Sequence, residues 1–109
     1  MINQEITEIT EAIKSAVTAE RIYLFGSHAY GTPNTDSDYD FFVVIPDGEI
    51  KPLEVIQKAR FSLIPLNRKT PVDILADYQS RFDRRSKLNT LERKIANYGL
   101  VLYERTDRV

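Results

Sequence analysis

Two aspartates separated by a single residue, Asp38 and Asp40, are the side chains of this sequence best suited to chemistry. They open the apolar run 41–45, which is typical of a strand. Strand side chains repeat every two residues, so both carboxylates project from the same face. Carboxylates this close repel each other unless a proton or a cation lies between them, and oxygen ligands suit Mg²⁺ or Mn²⁺. The alternative is a solvated pair at a strand end.

A Gly-Ser turn, Gly26-Ser27, precedes the aspartates at short range and follows another apolar run. Such a turn offers backbone N–H groups and a hydroxyl to phosphate oxygens. A metal site beside a phosphate-binding turn predicts chemistry on a nucleoside triphosphate. A solvated strand end would explain the aspartates alone, but it does not explain why the turn lies so near them.

A third carboxylate, Asp73, lies inside the apolar run 72–76. An ionised carboxylate among apolar neighbours is costly unless it is paired or bound to a metal. As the second residue of its predicted strand, Asp73 lies where a neighbouring strand would bring Asp38 and Asp40 alongside. Two alternatives are an edge-strand aspartate that faces water and an aspartate paired with an arginine.

The composition narrows the class of protein. The 109 residues have a formal net charge of -1, which argues against direct nucleic-acid binding through a broad basic surface. The absence of cysteine excludes disulfides, a thiol nucleophile and cysteine-ligated zinc. There is no apolar run long enough to span a membrane and no signal-peptide pattern, so we expect a cytoplasmic protein without membrane contact.

The periodicity of apolar residues predicts the elements that position these side chains. Isoleucines and a valine at spacings of three and four indicate an amphipathic first helix. Asn89 with Glu92 resembles a capping box for the last helix, and Gly99 fits a left-handed C-terminal cap. The predicted helices cover about 3–18, 27–30, 52–63, 78–85 and 89–98; the strands cover 21–25, 38–45, 72–76 and 100–103; 31–37 is a polar loop, and the charged tail after 103 frays.

This order of elements predicts an α/β or α+β fold in which helices pack on a small mixed sheet, as a single domain over residues 1–109. The motif residues also resemble a known signature. Gly26-Ser27, Gly31, Ser37-Asp38-Tyr39-Asp40 and the distant Asp73 are similar in order and spacing to the signature of the DNA polymerase β-like nucleotidyltransferase superfamily. The small size and the ending 99–103 resemble the minimal nucleotidyltransferases of prokaryotes, with a polymerase β-like palm fold.

The resemblance implies a role for each matching residue. Gly26 and Ser27 would hold the β- and γ-phosphates of ATP, and Asp38 and Asp40 would bind two Mg²⁺ ions, with Mn²⁺ as an alternative. Asp73 would complete the metal cluster and help to deprotonate the attacking hydroxyl. Ser37 is grouped with the nucleotide-binding residues, where it either orients Asp38 by a hydrogen bond or is a plain turn serine.

The resemblance also implies a substrate. Larger relatives add an acceptor-binding domain that this sequence does not show, whereas minimal nucleotidyltransferases are paired with helical HEPN toxins. We therefore expect transfer of AMP from ATP to a tyrosine hydroxyl of a HEPN toxin, which would make the protein an antitoxin. The alternatives are transfer to a small molecule such as an aminoglycoside and an antitoxin that acts by binding alone. A homo-oligomer is left open.

Overall fold

The computed structural model describes residues 2–31, 33 and 37–106. Its elements follow the predicted order: α1 Gln4–Ala16, β1 Arg21–Phe25, α2 Ser27–Tyr30, β2 Tyr39–Ile45, α3 Pro52–Ser62, β3 Val72–Tyr78, α4 Gln79–Arg85, α5 Leu91–Tyr98 and β4 Leu100–Glu104. β3 extends two residues beyond its predicted end. Parts of two predicted segments, positions 32 and 34–36 of the polar loop and 107–109 of the tail, lie outside the described residues.

The four strands form one mixed sheet in the order β3-β2-β1-β4. β1 pairs antiparallel with both β2 and β4, whereas β2 pairs parallel with β3. Parallel neighbours need a crossover, and α3 supplies it between β2 and β3. The predicted α/β architecture with a small mixed sheet is therefore confirmed.

Helices cover both faces of the sheet because its central strand β2 is apolar on both sides. Phe41, Val43 and Ile45 pack with α1 and α3 in the larger core cluster. Phe42 and Val44 point the other way and pack with Phe82 of α4 and Ile95 of α5. The alternation of strand side chains thus separates two cores, and it assigns Asp40, which has the parity of Phe42, to the face of α4 and α5.

Two of the predicted helix caps are wrong. The N-cap of α5 is Thr90 rather than Asn89, since the Thr90 side chain accepts a hydrogen bond from the Arg93 N–H at 3.2 Å. The predicted partner Glu92 is instead buried in an ion pair with Arg85 at 2.8 Å. Gly99 has extended backbone angles, φ -69° and ψ 161°, so it is not a left-handed cap. Its lack of a side chain serves packing, because a Cβ there would lie 2.7 Å from the Ile95 carbonyl oxygen.

None of the helices in the described ranges is long and apolar enough to cross a membrane.

Candidate functional site

Asp40 and Asp73 lie beside each other at the start of two parallel strands. In the register of β2 and β3, Asp40 is the partner of Asp73. The Tyr39 N–H also donates to the Pro71 carbonyl at 3.0 Å, so the pairing extends to the residue just before β3. Neighbouring strands are about 4.8 Å apart, so two in-register carboxylates on one face are close neighbours.

The predicted juxtaposition of the second and third carboxylates is therefore present in the fold. The Asp73 side chain is exposed on the edge strand β3, which agrees with the alternative of an edge-strand aspartate that faces water. Among the ion pairs of the described residues, none joins Asp73 to a lysine or an arginine, which leaves the other alternative without support.

Asp38 precedes β2 by one residue and completes the acidic group. Burial raises the pKa of Asp40, and the negative charges of Asp73 and Asp38 raise it further, while His28 acts in the opposite direction. The response of Asp40 to both neighbours indicates that the three carboxylates share one electrostatic environment. Such a set favours a bound cation, because a cation relieves the repulsion without requiring a proton.

The Gly-Ser turn lies directly against Asp40. Gly26 follows β1, has φ +79° and ψ -162°, and begins α2 as its N-cap. A Cβ at Gly26 would collide with the Asp40 carboxylate, whose Cγ would lie 3.1 Å away. Only glycine fits here, since a side chain would strain the backbone and displace the carboxylate. The predicted neighbourhood of the turn and the aspartates is thus a direct contact.

Ser27 begins α2, a single turn whose helical hydrogen bonds run from the Ala29 and Tyr30 N–H groups to the Gly26 carbonyl, each at 3.0 Å. Ser27 therefore lies at the N-terminal end of this turn, beside the glycine that contacts Asp40. Gly31 ends the turn in a left-handed conformation, with φ +84°.

His28 joins the turn to the segment that leads into β2. Its Nε2 lies 3.2 Å from the Ser37 carbonyl oxygen, and its ring meets the Tyr39 ring edge-on at 4.6 Å between centroids. The His28 side chain thus connects the Gly-Ser turn to the acidic segment through the Ser37 backbone. No pattern in the sequence predicted this role, since an isolated histidine in a polar segment is usually solvated.

Leu75 is a second residue of the site that the sequence reasoning missed. It follows Asp73 by two positions on the same strand face, pairs in register with the buried Phe42, and is 40% exposed. It therefore forms an apolar surface next to the carboxylates. The two-residue spacing in the strand was the signal that could have identified it.

The donor set suits a divalent cation, although no group of three acidic or histidine side chains within the described ranges is gathered tightly enough to hold one as it stands. Two of the carboxylates are in register, the third acts on Asp40, and all supply the oxygen ligands that Mg²⁺ and Mn²⁺ prefer. Asp38, Asp40 and Asp73 are the residues that would hold it.

The comparison with protein families agrees with this geometry. Residues 6–102 match the family model described as nucleotidyltransferase domain, a span that contains all the site residues named above. The chain has no significant match among curated proteins.

Solved structures with a similar fold include the following three. One is a putative nucleotidyltransferase from Sulfolobus solfataricus, 21% identical, with a TM-score of 0.62, covering 91% of this chain and 77% of that one. Another is a toxin–antitoxin with AMP-PNP, 22% identical, with a TM-score of 0.60, covering 95% and 76%. The third is a mutant of the toxin–antitoxin MntA-HpeT in which two aspartates, two positions apart, are replaced by glutamate; it is 22% identical, with a TM-score of 0.60, covering 96% and 76%.

Proposed function

We propose that this chain, which belongs to the nucleotidyltransferase domain family, transfers AMP from ATP to a hydroxyl group of a protein partner. The observation that supports this most strongly is the register of Asp40 with Asp73 in parallel strands, with Gly26 in contact with Asp40. This arrangement supports the proposal because it sets the Gly-Ser turn beside the acidic group, as binding of a triphosphate together with a cation would require.

The reaction is a displacement at phosphorus. The acceptor oxygen forms a bond to the α-phosphorus of ATP, the bond from that phosphorus to the bridging oxygen breaks, and pyrophosphate leaves with the electron pair. Asp73 is exposed on the edge strand and accepts the hydroxyl proton, which it then passes to water. Gly26 and Ser27 bind the β- and γ-phosphates, and Ser37 holds the position of Asp38.

Asp38 and Asp40, with Asp73, would hold two Mg²⁺ ions, or Mn²⁺ in their place. When bound, such ions lower the pKa of the attacking hydroxyl and neutralise the charge of the departing pyrophosphate. The fold itself positions these side chains. The register of β2 with β3 sets Asp40 beside Asp73, and Gly26 leaves room for the Asp40 side chain.

The partner we propose is a HEPN-type toxin, with a tyrosine as the acceptor, so that the chain acts as an antitoxin in the cytoplasm. Two of the structures with a similar fold are toxin–antitoxin assemblies, and one of them is described with AMP-PNP. The exposed position of Asp73 and Leu75 also supports a large acceptor, since the acceptor side of the acidic group is open to solvent.

The test is transfer of label from α-labelled ATP to the proposed HEPN-type toxin. We expect the wild type to add the mass of AMP to a toxin tyrosine, and Asp40→Asn to slow transfer by about 100-fold or more, since it removes one ligand charge. The matched control is Asp47→Asn, an exposed carboxylate at the other end of β2. Equal transfer by wild type and Asp40→Asn would contradict the proposal.

Protection of cells separates catalysis from binding alone. If the chain acts by modification, the triple variant Asp38→Ala, Asp40→Ala, Asp73→Ala no longer protects cells from the toxin although it still folds. Full protection by the triple variant would show an antitoxin that neutralises its partner by association.

A further inference from the structure

Lys94 of α5 lies against the ring of Tyr30, the last residue of α2. Its Nζ is 4.8 Å from the ring centroid, a distance at which an ammonium group is attracted to the face of an aromatic ring. The lysine is exposed, and none of the ion pairs formed by the described residues includes it. An aromatic ring of the turn segment, and not a carboxylate of the described ranges, is therefore the contact that holds this ammonium group.

The position of Lys94 follows from the way α5 packs on the sheet. The next residue, Ile95, is fully buried in the core on the face of the sheet to which Asp40 belongs. At the end of the helix, Gly99 lies close to β1, since a Cβ there would be 3.2 Å from the Leu24 carbonyl oxygen. The second half of α5 consequently lies on the face of the acidic group, beside the strand that leads into the Gly-Ser turn.

Tyr30 connects this lysine to the turn. Its N–H donates to the Gly26 carbonyl at 3.0 Å, and it follows Ser27 by three residues, so the Ser27 and Tyr30 side chains are neighbours on α2. The Tyr30 hydroxyl is buried and has no hydrogen-bond partner among the described residues. The contact with Lys94 therefore depends on the face of the ring rather than on the hydroxyl.

The strand order places Lys94 on the other side of the turn from the acidic group. Asp73 is on β3, Asp40 on the adjacent β2, and the turn follows β1. β1 ends beside Asp40 on one side and beside the start of β4 on the other, and α5 packs against β1 and leads into β4. Carboxylates, turn and ammonium group thus follow one another across this end of the sheet.

We infer that Lys94 binds the terminal phosphate of the nucleoside triphosphate and that Tyr30 positions it. This inference rests on the proposed function, in which the reaction takes place at the α-phosphate beside Asp73 and the turn binds the β- and γ-phosphates. A phosphate chain that begins at the acidic group and crosses the turn ends on the side of Lys94. The ammonium group is a compact charge on a flexible stem, so it can move from the ring to a phosphate oxygen and neutralise charge on the leaving pyrophosphate.

Two other basic residues near the acidic group are less suited to this task. The Arg68 guanidinium donates to the Thr70 carbonyl at 3.1 Å, and the Lys69 N–H donates to the Glu5 carboxylate of α1 at 2.8 Å. Because α1 packs on the face of the sheet opposite α5, this segment is tied to the side away from Lys94.

Calorimetric titration in the presence of Mg²⁺, with a non-hydrolysable ATP analogue and ADP as the two probes, tests the inference. ADP lacks the terminal phosphate, so Lys94→Met should lower the affinity for the ATP analogue by about 10-fold or more and the affinity for ADP by less than about threefold. Lys94→Arg keeps the charge and should keep most of the affinity for the analogue. The matched control is Lys87→Met, at an exposed lysine before the start of α5, which leaves both affinities unchanged.

Two substitutions of Tyr30 test its positioning role, with circular dichroism to verify folding. Tyr30→Phe keeps the ring and should keep the affinity for the ATP analogue, because the hydroxyl has no partner among the described residues. Tyr30→Leu removes the ring and should lower the affinity for the analogue but not the affinity for ADP. Equal losses for both nucleotides in Tyr30→Leu would show a structural role and overturn the positioning role.

The outcomes separate this inference from the proposed function. If the wild type binds the ATP analogue while Lys94→Met binds it equally well, or loses affinity for the two nucleotides in equal proportion, the inference is wrong and the proposed function stands. A wild type that binds neither nucleotide overturns both.

Discussion

Gly26 determines where the Asp40 carboxylate can lie. Its backbone has φ +79° and ψ -162°, a region that is almost closed to residues with a Cβ, and the Asp40 side chain occupies the space that a Cβ would need. The two requirements are separable, because Gly31 also has a positive φ, of +84°, yet nothing lies within 4 Å of the position its Cβ would take.

Gly31→Ala and Gly26→Ala therefore form a matched pair. We expect Gly31→Ala to lower the free energy of unfolding by about 1 kcal/mol, the cost of a left-handed alanine. Gly26→Ala should cost at least about 1 kcal/mol more, because strain and a collision with Asp40 add together. Chemical denaturation measures both, and equal losses would show that the Asp40 side chain moves away at no cost.

For the individual site residues, the sequence predicted which residue types take part but not which atoms are in contact. Asp-x-Asp in a strand and Asp73 in an apolar run identify carboxylates on one face, and the register of β2 and β3 places Asp40 beside Asp73. The link from His28 to the Ser37 carbonyl depends on how α2 is turned. No local pattern encodes that orientation, because it results from the way α2 packs against β1 and β2.

Among the secondary elements, the start of α5 shows how neighbouring residues compete for one role. Asn89 and Thr90 are both good N-caps, and a glutamate three residues after Asn89 favours it in the sequence. In the fold, Thr90 caps the helix, and its hydroxyl also donates to the Arg85 carbonyl at 2.6 Å. Glu92 is drawn to Arg85 instead, so tertiary pairing overrides the capping box.

The cap assignment predicts unequal effects for two adjacent alanines. Thr90→Ala should lower the free energy of unfolding by about 1 kcal/mol, since it leaves the Arg93 N–H without its acceptor. Asn89→Ala should change it by less than about 0.5 kcal/mol, as expected for an exposed residue. Thermal or urea unfolding of the two variants provides the measurement. A larger loss of unfolding free energy from Asn89→Ala would show that Asn89 is the N-cap after all.

Element type and order were predictable because each element carries its own period: four and three in α1, and alternation or apolar runs in the strands. Their ends were less predictable. β3 continues to Tyr78, so Asp77 and Tyr78 are strand residues paired with Val44 and Ile45, although the sequence favoured a strand end at 76. Pairing with a long neighbour strand extended it beyond its local pattern.

In the whole molecule, the two ends of β2 carry different surface features. The acidic group and the Gly-Ser turn lie at its N-terminal end, and a cleft with Ile45, Pro46 and Val55 among its walls lies at its C-terminal end. The sequence predicted the first end from its motif. It could not predict the second, because the cleft is formed where the end of α1, the segment after β2 and α3 pack together, and no local pattern encodes that packing.

We propose that Asp40 and its neighbours hold the cation through which a nucleoside triphosphate binds. The most direct measurement is calorimetric titration of a non-hydrolysable ATP analogue, with and without Mg²⁺, into the wild type, Asp40→Asn and the control Asp47→Asn. We predict binding that requires Mg²⁺, is lost in Asp40→Asn and is retained in Asp47→Asn. Asp47 is exposed beyond the far end of β2, and its Oδ1 accepts a hydrogen bond from the Ser80 N–H at 3.0 Å that the asparagine Oδ1 can also accept. Mg²⁺-dependent binding of equal affinity to Asp40→Asn and the wild type would contradict it.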